Sequence, residues 1–301
     1  MKRLQNQSSS SGFLSRNRVL RLIILAVIAF LVGGRDGEPN SRSALQIPAG
    51  PVFSWSYFQP GNPPEQTPDL LVLGKEVYGS NCAICHGENG QGNGWRAHML
   101  YPKPRDFTRG IFRFKTTESG DLPTDRDLFR TVSVGLQGTA MPGWRFVLPE
   151  KERWAVVAHL KTFSRYFEEE LPADPISLGP EPAITPRVVE LGRQLFQKVG
   201  CVECHGSQGY GDGPSARGME DSFGSLISPR NLHVTAEFKR GRTLRDVALT
   251  VSTGNDGTPM PSFKDALTQA QVWALASFVM SLEEEQPVIR GPQCPMMSGI
   301  W

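Results

Sequence analysis

The sequence lacks a surplus of either charge. Its 301 residues carry 32 Lys and Arg against 30 Asp and Glu, a formal net charge of +2. That removes the general electrostatic case for nucleic-acid binding, which needs basic residues in excess on one face. Glycine (31) and proline (24) together stay under a fifth of the chain, below the level that marks a disordered polymer. Cysteine is scarce: of five, four fall in two CxxC pairs, while Cys294, in Pro292-Gln-Cys-Pro295, stands apart and reads as an incidental tail residue. Long apolar runs are also few. The stretch from Val19 to Gly34, built on Leu22–Val32, gives roughly 24 Å of helix against a ~30 Å hydrocarbon core. What is present is 39% hydrophobic residues with 16 Phe and 6 Trp, enough for real cores. The length fits about two domains of ordinary size.

The balance of charge hides an uneven distribution. Residues 1–35 hold Lys2, Arg3, Arg16, Arg18, Arg21 and Arg35 and no acid. Taking those six bases away leaves 26 Lys and Arg against 30 Asp and Glu over 36–301, a net of −4. A basic lead before an apolar run matches an export signal or membrane anchor, with the basic end held in the cytoplasm. The 18-residue lead and the lack of an A-x-A site favour a retained anchor over a cleaved peptide. Residues 35–68 contain seven prolines and no periodic apolar face, which predicts a tether. A second proline-rich stretch, 169–185, predicts a linker between two globular units. The expected order is therefore a basic tail 1–18, an apolar helix 19–34, a tether 35–68, a first domain 69–168, the linker 169–185, a second domain 186–284 and a tail 285–301.

The two units are copies. Cys82-Ala-Ile-Cys85-His86-Gly87 recurs 119 residues later as Cys201-Val-Glu-Cys204-His205-Gly206. The same offset carries Thr131-Val132-Ser133 onto Thr250-Val251-Ser252, Gly138-Thr-Ala-Met141-Pro142 onto Gly257-Thr-Pro-Met260-Pro261, and Trp154 onto Trp273. So many identities over one register indicate a duplicated domain. Thr67-Pro68 and Thr185-Pro186 are helix starts, with a capping hydroxyl and a proline that suits the first turn. Apolar spacing predicts further helices at about 124–134, 149–165, 243–252 and 268–282. Strand patterns are not evident, so the expected fold is all-α.

The chemistry lies in CxxCH. Two thiols on one helical turn can add to the two vinyl groups of a haem, and the next residue places an imidazole at the iron; this spacing reads as c-type haem attachment. The alternatives are a redox dithiol or half of a zinc site. The adjacent histidine, present twice in an exported and duplicated context, disfavours both. Two covalently bound haem c groups are expected, held by Cys82 and Cys85 and by Cys201 and Cys204, with His86 and His205 on the irons.

Met141 and Met260 each lie 55 residues beyond their histidine, inside Gly-Thr-x-Met-Pro. A repeated methionine in a proline-braced pentapeptide is best explained as the second axial ligand. Thioether opposite imidazole raises the reduction potential and fills the sixth position, which favours electron transfer over catalysis at iron. His98 and His233 have no counterpart at the repeat offset, and His159 matches Phe278, so a bis-histidine haem is the weaker reading.

On these residues the chain resembles the class I cytochromes c, specifically members with two haem domains in tandem after an N-terminal hydrophobic helix. The resemblance covers about 69–168 and 186–284. It implies first and last helices that cross, with Gly74 and Tyr78, or Gly192 and Phe196, at the crossings, and haem in a cleft. Arg105 and Arg230, in Pro104-Arg105-Asp106 and Pro229-Arg230-Asn231, are candidate partners for haem propionates, while Trp95 and Trp144 are candidate walls of the first haem. The segment Arg105–Gly120 is longer than the smallest family members need and reads as a docking face or a half-buried extended stretch. The function implied is a membrane-tethered electron carrier, not an enzyme, working as a subunit of a respiratory complex of the terminal-oxidase or molybdenum nitrite/nitrate oxidoreductase type. The alternative is a di-haem cytochrome c peroxidase. The expected partners are redox proteins on the outer side of a bacterial cytoplasmic membrane, reached from residues 19–34, with the haem domains facing the periplasm or exterior. An acidic exported portion favours basic or mixed docking surfaces.

Overall fold

The computed structural model describes Trp55 and residues 58–283. The basic tail, the apolar segment 19–34, most of the tether, and the tail beyond 283 with Cys294 lie outside the described residues. Within them the first copy contains α1 (Pro68–Asn81), α2 (Ala83–His86), α3 (Asp125–Val134), α4 (Glu150–Lys161) and α5 (Tyr166–Glu169). The second contains α6 (Pro186–Lys198), α7 (Val202–His205), α8 (Leu244–Thr253) and α9 (Gln269–Ser281). Among the described residues there is no sheet, only a lone antiparallel bridge between Glu220 and Leu226. No helix there is long and apolar enough to cross a membrane.

The helix starts follow the sequence chemistry. The Thr67 and Thr185 hydroxyls accept from the backbone N–H groups of Leu70 and Val188, and a proline opens each helix. Helices α3 and α8 open with reciprocal capping boxes, Thr124 with Asp127 and Thr243 with Asp246. Asp127, fully buried, also accepts from Thr116 through both its backbone and its hydroxyl. The helix expected over 149–165 stops at Lys161. Thr162 donates its hydroxyl to the His159 carbonyl and ends α4 at Lys161, and the chain turns before α5.

In each copy the first long helix packs across the last, α1 on α4 and α6 on α9. The crossing points are glycines for a steric reason. A Cβ on Gly74 would lie 2.0 Å from the Ala155 carbonyl oxygen, and one on Gly192 2.0 Å from that of Ala274. Aromatics close the same junctions, Tyr78 against His159 and Phe163, and Phe196 against Phe278. Gly192→Ala would gain up to about 1 kcal/mol in helix propensity. Overpacking against an unyielding carbonyl costs about 1–3 kcal/mol or more. The net expectation is a lower melting temperature; an equal or higher one would show that the helices do not meet at this glycine.

The two copies are packed together, and the segment Arg105–Gly120 makes much of the junction. Arg113 pairs with Asp221 at 2.6 Å, Arg109 donates to the Ser222 carbonyl, and Lys115, 1% exposed, pairs with Asp256 at 2.6 Å. The docking face expected in this segment thus meets the second domain of its own chain. Both proline-rich stretches are tied down where they are described. Trp55 is buried, donates to Thr131, and lies beneath the guanidinium groups of Arg130 and Arg240. In the linker, Leu178 is buried, its carbonyl accepts from the Trp273 indole, and Ile176 bonds back to Thr116. Aromatic and aliphatic anchors among the prolines overcome the flexibility that composition alone predicts.

Candidate functional site

Each CxxCH motif forms one short helix, capped by its first cysteine, whose carbonyls accept from the loop that follows. In the first copy Gly92 N–H donates to His86 O and Gly94 N–H to Cys85 O; in the second, Gly211 and Gly213 do the same to His205 and Cys204. The glycine-rich loop therefore folds back over the motif. It can approach because a side chain would collide: a Cβ on Gly94 would sit 2.4 Å from Ala83 O, and one on Gly213 2.4 Å from Glu203 O. The loop then delivers the Pro-Arg segments. His86 Nδ1 lies 3.0 Å from the Arg105 carbonyl and His205 Nδ1 3.1 Å from that of Arg230. A carbonyl fixes Nδ1 as the N–H and leaves Nε2 with a free lone pair, the arrangement a metal-binding imidazole needs. Burial pushes both imidazoles below their usual pKa, which keeps that lone pair available.

The methionine loops are pinned to α3 and α8. Gly135 and Gly254 cap these helices at φ +72° and +64°, and each backbone lies against the loop that follows. Leu136 N–H donates to Met141 O, and Asn255 N–H to Met260 O; the Thr139 and Thr258 hydroxyls accept from the same methionines' backbone N–H groups. The threonine and glycine of each Gly-Thr-x-Met-Pro therefore shape the loop, and the methionine is presented from it half-buried.

In the second copy a cavity of about 410 Å³ brings Cys201, Cys204, His205 and Met260 onto one lining. That volume lies within the ~300–1,000 Å³ range of cofactor sites. The walls are apolar, among them Phe196, Leu232, Phe263 and Leu275. Cationic groups also reach the lining: Arg113, Arg230, Lys239 and Arg240. Arg240 is 4% exposed, and its Nε and Nη1 are buried without a hydrogen-bond partner, as is Arg113 Nε. Burial pushes the Arg240 guanidinium down to about 10. Burial, reinforced by Arg230, Arg113 and Arg105, pushes Lys239 down to about 8. An apolar cleft lined by two thiols, an imidazole and several cations, two of them with buried unpartnered N–H groups, fits a flat, hydrophobic, dianionic group such as haem.

The two arginines singled out in sequence behave differently. Arg230 lines the cavity and pairs with Glu237 at 2.7 Å. Arg105 lies 4.7 Å over the Phe223 ring of the other copy, so its carbonyl, on His86, is its clearest link to the first motif. Of the candidate walls, Trp144 packs with the first core, whereas Trp95 is 70% exposed beside His98. The other histidines are engaged elsewhere: His98 with the Trp95 carbonyl, His159 with Tyr78 and Phe163, His233 with the Gln208 carbonyl and the Tyr210 ring. The dithiol alternative also loses ground. Burial raises Cys82 to about 12 and Cys201 to about 11, opposite to the lowered pKa of reactive CxxC thiols. Among the described residues no three His, Cys, Asp or Glu side chains group as a metal-ion site.

Comparison with known proteins places both copies. Residues 71–160 match the family model for cytochrome c oxidase, cbb3-type, subunit III, and residues 189–283 match that for cytochrome c. The chain is 31% identical over 216 residues to the cbb3-type cytochrome c oxidase subunit CcoP of Helicobacter pylori (strain 52), covering 71% of this chain and 59% of that protein. It is 33% identical over 108 residues to the cbb3-type cytochrome c oxidase subunit FixP of Azorhizobium caulinodans, or 36% of this chain and 30% of that protein. The chain thus spans about three fifths of the Helicobacter relative. A chain of the reducing HAO-like protein complex of Kuenenia stuttgartiensis superposes with a TM-score of 0.68 at 44% identity, covering 70% of this chain and 96% of that one.

Proposed function

Because the chain belongs to the cytochromes c with two haem domains in tandem, we propose that it works as the electron-transfer subunit of an oxidoreductase complex. Two covalently bound haem c groups go with that family. Haem, when bound, supplies a one-electron iron couple. The protein's part is to hold and tune it. Cys82 and Cys85, and Cys201 and Cys204, would carry the thioether bonds. His86 and His205, each fixed at Nδ1 by a carbonyl, would ligate the irons together with Met141 and Met260. The observation that carries this reading is the cavity that brings Cys201, Cys204, the carbonyl-locked His205 and Met260 onto one lining, with the same local hydrogen bonds recurring at His86 and Met141 in the first copy. Two protein ligands per iron in both copies would leave neither open to peroxide, which disfavours the peroxidase alternative.

Residues 19–34 would hold the chain at the cytoplasmic membrane, with both haem domains on its outer side and redox proteins as partners. The long match to a chain of the Kuenenia complex favours an oxidoreductase of that kind as host, and the cbb3-type matches support a terminal oxidase as the second reading. Purification of the chain from its native membranes under mild detergent separates them. Recovery with a catalytic oxidoreductase subunit is expected, and that subunit identifies the host. A chain that leaves the membrane alone and turns over peroxide would overturn the proposal.

A further inference from the structure

The two haem sites, alike in their own residues, differ in what surrounds them. Met260 is clasped on both flanks by the first domain. Four residues before it, Asp256 pairs with the buried Lys115 at 2.6 Å and accepts from the Ser119 hydroxyl at 2.7 Å and the Gly120 N–H at 3.1 Å. Four residues after it, Lys264 pairs with Glu118. At the same places around Met141 the sequence has Gln137 and Arg145, and Arg145 stacks on Phe58 of the tether and on Phe146 of its own domain. The cavity shows the same asymmetry. Arg113 and Phe114 of the first domain form part of the lining around Cys201, His205 and Met260. Arg240, beside them, is held from both domains: its Nη2 donates to the carbonyls of Arg113 and Lys115 in the first and to the Thr253 hydroxyl in its own, leaving Nε and Nη1 without a partner.

We propose that the second haem site is composite: the first domain completes it, with Arg113 joining Arg240 as donors to a haem carboxylate and Lys115 holding the Met260 loop in place through Asp256. Guanidinium groups with unused buried N–H donors and no competing carboxylate on those atoms are the natural partners of a carboxylate brought into the cavity. Arg113 retains its pair with Asp221 through Nη2, so Nε is the donor it has to spare. Lys115 and Asp256 are positioning residues, acting on the loop and not on the iron. The Met141 loop also reaches the junction, where a Cβ on Gly138 would lie 3.5 Å from the Glu237 carbonyl oxygen; the ion pairs to the other domain flank Met260, so domain docking acts chiefly on the second haem. The composite site rests on the ligand assignment proposed above.

The test uses the full-length, two-haem protein. Asp256→Asn removes one charge of a buried pair. Imidazole should then displace the methionine-to-iron(III) charge-transfer band of one haem at a concentration lower by about tenfold or more, the order expected when one charge-assisted hydrogen bond is lost. The other haem should keep its band, and Gln137→Ala in the first copy should change neither. Arg113→Gln should lower the potential of one haem, the one that also responds to Met260→His, because a nearby cation favours the less positive ferrous state. Arg113→Lys should restore most of it. If Asp256→Asn fails to fold, the Arg113 pair of variants still decides. Unchanged potentials, or a shift confined to the haem that responds to Met141→His, would overturn the composite site while leaving both haems assigned. Retention of two covalent haems after loss of Cys201 and Cys204 would instead overturn the assignment beneath it.

Discussion

One covalent haem per chain is the expected result when Cys201 and Cys204 are both replaced by alanine, against two in the unaltered protein. The reason is local: Cys204 and His205 lie on the short helix α7, Cys201 caps its start, and all three share one cavity lining, while no other described cysteine belongs to the second domain. The effect should extend beyond stoichiometry. The cleft's apolar walls, among them Phe196, Leu232, Phe263 and Leu275, would then lose the group packed against them, so the second domain should melt at a lower temperature. Cys82→Ala with Cys85→Ala should likewise leave one haem, held in the second domain. Pyridine haemochrome absorbance and peptide mass together read the count, and two haems retained in either variant would refute the attachment sites.

Met141→His and Met260→His carry the second large expectation. Thioether stabilises ferrous iron relative to imidazole, and axial ligands span about 0.8 V of haem potential, so a drop on the order of 0.1 V or more is expected in the haem concerned. Covalent attachment should be untouched, because the thioether bonds and the histidine belong to another loop. Each variant should move one haem and leave the other near its original value. Spectroelectrochemical titration of the purified protein reads both potentials at once. No shift in either variant would mean that another side chain takes the sixth position.

Much of this was legible in the sequence, for identifiable reasons. Thr67-Pro68 and Thr185-Pro186 announce helices because capping is local chemistry, and the duplication turns weak signals such as Gly-Thr-x-Met-Pro into paired ones. Gly74 and Gly192 come from the family resemblance, and the close carbonyls at each explain why no side chain is tolerated there. The second cavity's cations were less visible. Arg230 is visible through its repeated Pro-Arg context, but Arg240 is not, because its importance depends on burial and on orphaned N–H groups. Arg113 reads as part of a docking face, yet sequence has no means of showing that the surface it meets is the other half of its own chain. Trp55 was hidden among prolines for the same reason: its partners, Thr131 and Arg240, are distant in sequence. Local rules reach the ligands, and only tertiary packing reveals what the two copies do to each other.

The central claim is that both irons are held by histidine and methionine and neither is open. Magnetic circular dichroism of the fully oxidised, full-length protein tests it most directly, since near-infrared charge-transfer bands distinguish methionine-ligated from bis-histidine low-spin haem. The predicted result is two methionine-ligated low-spin haems per chain, with no carbon monoxide binding on reduction at neutral pH. A high-spin component, a bis-histidine band, or carbon monoxide bound to one haem would contradict it.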